Sequence, residues 1–214
     1  MLASLEKLET YANNVTTFVN YANRTFYYYL ALVSAMGGEL PCYISYYREY
    51  HALLLTIMQN AKREVIITLH ALYDNGKDGY NVHCLLESLH AYGKLSLEEY
   101  RLMRRNVKAL KPQLKRISRL RRLAAAHLNI EMSEIPKDLL SSDDVESVLF
   151  GSLAVTNRCR EILGLKHSDN EFHQEELKKE VARLLDALKA QYNSENKPVT
   201  VNIDLTGVKV GDID

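Results

Sequence analysis

The chain has 214 residues, of which 47% are hydrophobic, and this is enough for one domain with a sizeable core. Lys and Arg together number 27, as do Asp and Glu, so the net charge points to no particular class of partner. The three cysteines lack a zinc-binding spacing. Charges at Glu6, Lys7 and Glu9 interrupt the apolar stretch that a signal peptide would need, and no uncharged apolar run reaches the length of a membrane span. We therefore expect a soluble, cytoplasmic protein.

Apolar residues at steps of three and four predict helices along most of the chain. The first helix, or broken pair of helices, is expected over about 2–36. A Gly-Gly-Glu-Leu-Pro break separates it from a second helix over about 43–73. A loop at 74–79 and a short helix over about 82–92 follow, and Gly93 ends that helix.

The fourth helix is expected to begin after the N-cap residue Ser96 and to run to about His127. Pro112 lies inside it and should kink it or split it in two. After an irregular stretch, the residues from Ser142 to Glu146 resemble a capping box, with Glu146 near the third or fourth helical position.

The capping box predicts a fifth helix that ends near Gly164, and a charge-rich sixth helix is expected over about 170–192. The fold class is therefore an all-α, up-and-down bundle of about five to six helices with an irregular C-terminal tail. We expect a helical domain over 1–193 and a tail over 194–214. The tail alternates apolar and polar residues as a strand does, yet no other strand is predicted to pair with it, so it is either flexible or strand-like.

A cationic run over 101–129 contains no acidic residue. Its basic residues are Arg101, Arg104, Arg105, Lys108, Lys111, Lys115, Arg116, Arg119, Arg121 and Arg122. On a helical wheel most of them share one broad face, and the opposite face holds Leu102, Met103, Val107, Leu110, Leu114, Ile117 and Leu120.

No acid stands four residues away to neutralise this run, which favours an anionic partner such as RNA phosphate. The alternative is a solvated face whose charges pair with acids on other helices. The predicted RNA-binding residues are Arg104, Arg105, Lys108, Lys115 and Arg119.

Arg121 departs from the pattern, because the wheel places it on the apolar side, near Met103 and Leu114. A charge there must be paired, at an interface or in a cleft. His127 follows three alanines near the predicted helix end, where a histidine is more often structural than catalytic. Nearby arginines favour RNA chemistry, because arginine stabilises phosphate charge and histidine transfers protons. The other histidines lack metal-ligand spacing, so no metal and no cofactor are expected.

The segment Arg121-Arg122-Leu123-Ala124-Ala125-Ala126-His127 resembles the Arg-x(4–6)-His signature of HEPN domains, which are helical domains of defence and toxin systems. The upstream stretches 66–74 and 82–89 are similar to the AbiU-like, abortive-infection branch of that superfamily. The resemblance covers roughly residues 43–163.

The resemblance implies a metal-independent endoribonuclease of the toxin or phage-defence type, which leaves a 2′,3′-cyclic phosphate. His127 would act as general base or acid, or would orient the 2′-hydroxyl, and Arg121, with Arg122, would stabilise the phosphorane. The expected partners are RNA, a second copy of the chain in a homodimer, and a cognate antitoxin protein. Arg122 and Asn129 stand where the family often has a smaller polar residue and an aspartate. They leave open the alternative of a non-catalytic HEPN-like module that binds RNA, nucleotide or a partner protein.

Overall fold

Two long helices, α1 (Leu5–Gly37) and α2 (Ile44–Tyr73), pack along each other and form the framework of the protein. The structure is a computed structural model that describes residues 4–37, 44–74, 80–126, 141–168 and 174–195. Leu8, Ala12, Val15 and their successors at helical spacing are buried, as the periodicity predicted. α1 is a single helix and not the broken pair that the sequence also allowed.

The short helix α3 (Val82–Ala91) begins at Asn81, whose side chain accepts a hydrogen bond from the backbone N–H of Cys84 at 2.8 Å. The backbone N–H of Asn81 donates in turn to the hydroxyl of Tyr11 at 2.9 Å, which fixes the start of α3 against α1. Gly93 follows α3 with a φ of 70°, a conformation that suits glycine, and confirms the predicted helix end.

The predicted fourth helix is split into α4 (Leu97–Ala109) and α5 (Lys111–Ala126). Ser96 caps α4 as predicted, because its hydroxyl accepts from the backbone N–H of Glu99 at 3.2 Å. The break lies at Leu110, two residues before Pro112, since the proline ring would clash with the carbonyl of Lys108 in a continuous helix. This split is the reason that the described residues form seven helices and not five or six.

The helix α6 (Ser142–Ile162) starts one residue earlier than its predicted capping box. Ser141 is the N-cap, and the residue at the third helical position is Asp144 and not Glu146. The two residues exchange hydrogen bonds of 3.1 and 3.3 Å between side chain and backbone. Adjacent serines made the register ambiguous in the sequence. Gly164 has a φ of 72° and ends this segment as predicted.

α6 passes close to the break between α4 and α5. A Cβ atom at Gly151 would lie only 2.8 Å from Cδ1 of Leu110, so a larger residue there would require the Leu110 side chain to move. The main core lies among α1 to α6, with fully buried residues such as Leu69, Leu86 and Ile117.

The last described helix, α7 (Gln174–Glu195), packs against α1 and α2 through a smaller apolar cluster that includes Leu54 and Val181. The described residues contain helices and no strand, which confirms the all-α class. Apart from the last residues of α7, the predicted tail lies outside the described residues. Within the described ranges, no helix has the length and apolar character required to cross a membrane.

Candidate functional site

The basic face formed by α4 and α5 is exposed along its whole length. All ten basic side chains of the run 101–122 are exposed, whereas Met103, Val107, Ile117 and Leu120 on the other side are buried. The predicted division into a cationic and a core side is therefore confirmed. Leu102 is an exception, because it was assigned to the core side but is 53% exposed.

Ion pairing neutralises little of this face. Arg116 donates to a carboxylate oxygen of Asp144 at 2.6 Å. Among the described residues no other side chain of the face lies within 4.0 Å of a carboxylate. The sequence also allowed the alternative that the basic residues pair with acids on other helices. Among the described residues this alternative holds for Arg116 alone.

A cleft of about 720 Å³ opens beside α4. Five of its lining residues are exposed cations that have no carboxylate partner in the described part of the chain, and the others carry aromatic, apolar or imidazole side chains. The lining residues are Tyr73, His83, Leu97, Tyr100, Arg101, Arg104, Arg105, Val107, Lys108, Lys111 and Leu114. No Asp or Glu is among them, so the charges that line the cleft favour an anionic ligand.

Arg104 is held at this cleft by a series of contacts. Its guanidinium donates to the hydroxyl of Tyr100 at 3.2 Å and lies 5.6 Å from the centre of that ring. The Tyr100 ring stacks on His90 at 4.6 Å. Nδ1 of His90 carries the proton, because its partner at 3.0 Å is the carbonyl of Leu95, which can only accept. The arginine is thereby oriented before any ligand arrives.

His83 forms the imidazole part of the cleft wall and meets Tyr73 edge-on, with ring centres 6.1 Å apart. Burial lowers the pKa of His83, the charge of Arg104 lowers it further, and Glu87 opposes the change. The ring is therefore neutral near pH 7 and offers one donor and one acceptor. Tyr73 is buried, and its hydroxyl shares a 2.7 Å hydrogen bond with Ser152.

Arg121 and Arg122 lie near the C-terminal end of α5, and both are exposed. The prediction that Arg121 shares the apolar side of the helix with Met103 is wrong for the single chain, in which Arg121 is exposed and Met103 is buried. The break at Leu110 resets the helical phase between α4 and α5, and Leu114 beside Arg121 is itself only half-buried. This flank of α5 is the border of the core.

His70, on α2, lies near these two arginines. Its position in the sequence gave no reason to expect that it would be close to Arg121 and Arg122. Burial lowers the pKa of the half-buried His70, the charges of Arg121 and Arg122 lower it too, and Asp74 opposes them. The structure therefore brings a neutral imidazole to the arginine pair within one chain. His127, the predicted catalytic histidine, lies outside the described residues.

The structure divides the predicted RNA-binding residues into two groups. Arg104, Arg105 and Lys108 line the cleft, whereas Lys115 and Arg119 are exposed on α5 away from it. Sequence reasoning did not find His70 and His83. The one feature of the sequence that could have pointed to these two histidines is that both lie in the upstream stretches 66–74 and 82–89, which carry the family resemblance.

Comparison with known proteins assigns the family. The family model HEPN_AbiU2, described as AbiU2, matches residues 5–184. Comparisons with curated proteins and with solved structures found no match. The matched range covers most of the chain, including α1 to α6 and the arginine pair. The chain therefore belongs to the AbiU2 family of HEPN proteins, and its function is of the abortive-infection type.

Proposed function

We propose that this AbiU2-type HEPN protein is a metal-independent endoribonuclease. The observation that carries the proposal is the position of Arg121 and Arg122. They are exposed, have no carboxylate partner in the described part of the chain, stand at one end of a cationic face in which only Arg116 is paired with a described carboxylate, and are followed in sequence by His127. The face would hold the RNA backbone and the arginines would contact the scissile phosphate.

The proposed reaction needs no external cofactor. The RNA 2′-oxygen attacks the adjacent phosphorus while its proton passes to a base, and the bond to the 5′-oxygen breaks as that oxygen gains a proton. The products are a 2′,3′-cyclic phosphate and a 5′-hydroxyl. His127 acts as base or acid, or orients the 2′-hydroxyl, and Arg121 with Arg122 stabilises the extra negative charge of the phosphorane.

We further propose that two chains associate so that two copies of the motif face one RNA strand. The exposure of Arg121 supports this arrangement, because the side chain remains available for contacts outside its own chain. A cognate antitoxin would act by covering the same cationic face. Sedimentation at several protein concentrations tests the dimer independently of catalysis.

The cleavage experiment uses purified protein, mixed RNAs and EDTA. We expect cleavage with cyclic-phosphate ends, and a loss of about 10²- to 10³-fold in Arg121→Ala, as for removal of one oxyanion donor. His127→Ala should lose about 10²- to 10⁴-fold. Arg183→Ala is the matched control, since Arg183 is an exposed arginine on the distant helix α7. Full activity in folded His127→Ala would refute the proposed catalytic role.

A non-catalytic module that binds RNA or nucleotide is the second candidate. The cationic cleft favours it, because binding requires the cleft and the face but not the histidine. Tight RNA binding without any cleavage in the same EDTA experiment would select this function over the first.

A further inference from the structure

The cleft beside α4 differs from the rest of the basic face because it combines unpaired cations with an apolar interior. We propose that it holds one unpaired nucleotide of a bound RNA strand, with the phosphate at the rim and the base inside. The identity of the ligand as RNA rests on the proposed function. The inference adds a subsite that distinguishes single strands from duplexes.

The rim is suited to a phosphate group. Five exposed cations line the cleft, and none has a carboxylate partner among the described residues: Arg101, Arg104, Arg105, Lys108 and Lys111. Arg104 is already oriented by Tyr100 and His90, so little side-chain freedom is lost when an anion binds. Arginine also matches phosphate geometry with two parallel hydrogen bonds.

The interior is suited to a base. Leu97, Val107 and Leu114 supply apolar surface, and His83 supplies a neutral ring with a donor and an acceptor for a base edge. The volume of about 720 Å³ lies in the usual range for small-molecule sites. A base must leave its stack and its partner to enter, and this costs least in a single strand.

The subsite is also within reach of the arginine pair along one strand. Lys111 at the rim and Arg121 are separated on α5 by about 15 Å, from a rise of about 1.5 Å per residue. At about 3.4 Å per stacked nucleotide this is roughly four nucleotides. A strand that extends from the cleft along α5 therefore places a phosphate a few nucleotides away beside Arg121.

The test compares two exposed leucines of the same helix. Leu97 lines the cleft and is 49% exposed, whereas Leu102 is 53% exposed and is not part of the lining. Leu97→Trp fills the cleft, and Leu102→Trp adds the same bulk elsewhere on α4. Binding is measured with a labelled single strand of 2′-O-methyl RNA, which cannot be cleaved because its 2′-oxygen is blocked.

We expect Leu97→Trp to weaken single-strand binding about 5- to 150-fold, the range for loss of one base contact, and Leu102→Trp to leave it unchanged. Wild-type protein should bind the single strand more tightly than the matching duplex. A nucleoside monophosphate should compete better than inorganic phosphate. Equal effects of the two tryptophan variants, equal binding of duplex and single strand, or equal competition by phosphate would each overturn the subsite.

A second pair of variants keeps the test decisive if Leu97→Trp does not fold. Arg105→Gln removes a cation from the rim, and Arg183→Gln removes one from α7. Only the first should weaken binding of the monophosphate. Because the RNA is uncleavable, a protein without ribonuclease activity would still give these results, so the two proposals fail separately.

Discussion

The two neighbouring cations Lys115 and Arg116 should differ sharply in their effect on RNA binding. Both are exposed on α5, and replacement of either by glutamine lowers the net charge by one unit. Arg116, however, already donates to Asp144 at 2.6 Å, while Lys115 has no carboxylate partner among the described residues. The prediction is that Lys115 contacts phosphate and Arg116 does not.

The size of the effect follows from counterion release. Each phosphate contact on a single strand contributes about −0.7 to the slope of log K against log salt. Lys115→Gln should therefore reduce the magnitude of the slope by about 0.7. With its effect taken as zero at 1 M salt, the variant should bind about eightfold more weakly at 50 mM salt but only about threefold more weakly at 200 mM. Arg116→Gln should leave the slope unchanged, because its contact is with a carboxylate.

The assay is fluorescence anisotropy with uncleavable single-stranded RNA at several KCl concentrations between those two values. Thermal melts of both variants show whether each remains folded. Equal slope changes in Lys115→Gln and Arg116→Gln would mean that Arg116 exchanges Asp144 for phosphate, and would refute the assignment made from the ion pair.

Three further predictions concern α6, the arginine pair Arg121 and Arg122, and His70. Asp144→Ala removes both the Arg116 ion pair and half of the capping box, so it should lower the free energy of unfolding by about 1–2 kcal/mol and the melting temperature by roughly 2–8 °C. Asp143→Ala removes neither interaction and should change the melting temperature little. Equal melting temperatures of the two variants in calorimetry would contradict this prediction. In an NMR titration, Arg121→Ala should raise the pKa of His70, because a positive charge that opposes protonation is removed, and an unchanged value would show that the two groups do not interact. His70 also binds its proton less readily in the folded than in the unfolded chain, because its pKa is lowered by folding. The free energy of unfolding should therefore fall as the pH drops below about 6.5. In urea melts at several pH values, His70→Gln should show a smaller decrease than the wild type.

Local signals predicted the helices well. Apolar residues spaced three and four apart predicted α1 and α2. Ser96 and Gly93 marked helix ends correctly, because capping and the left-handed backbone conformation depend on residues close in sequence. Pro112 predicted a break but not its consequence for Arg121. A helical wheel assumes one continuous helix, and a break at Leu110 changes the orientation of everything after it.

The site was only partly predictable, since its parts come from different helices. The basic run on α4 and α5 is contiguous in sequence, so its face could be inferred. The cleft also needs His83 from α3 and Tyr73 from α2. The charges of Arg121 and Arg122 influence His70 because α2 packs against α5. No spacing rule reports contacts between residues that are distant in sequence.

The described basic face has only one carboxylate partner, Asp144, and this has a consequence for folding. Like charges held together on α4 and α5 repel one another, so the folded chain is less stable than the same bundle with a neutralised face. An anion that binds the folded face offsets this repulsion, and at a hundred times its dissociation constant it adds about 2.7 kcal/mol to stability. The amount of folded protein in a cell would then depend on how much of the anion is present.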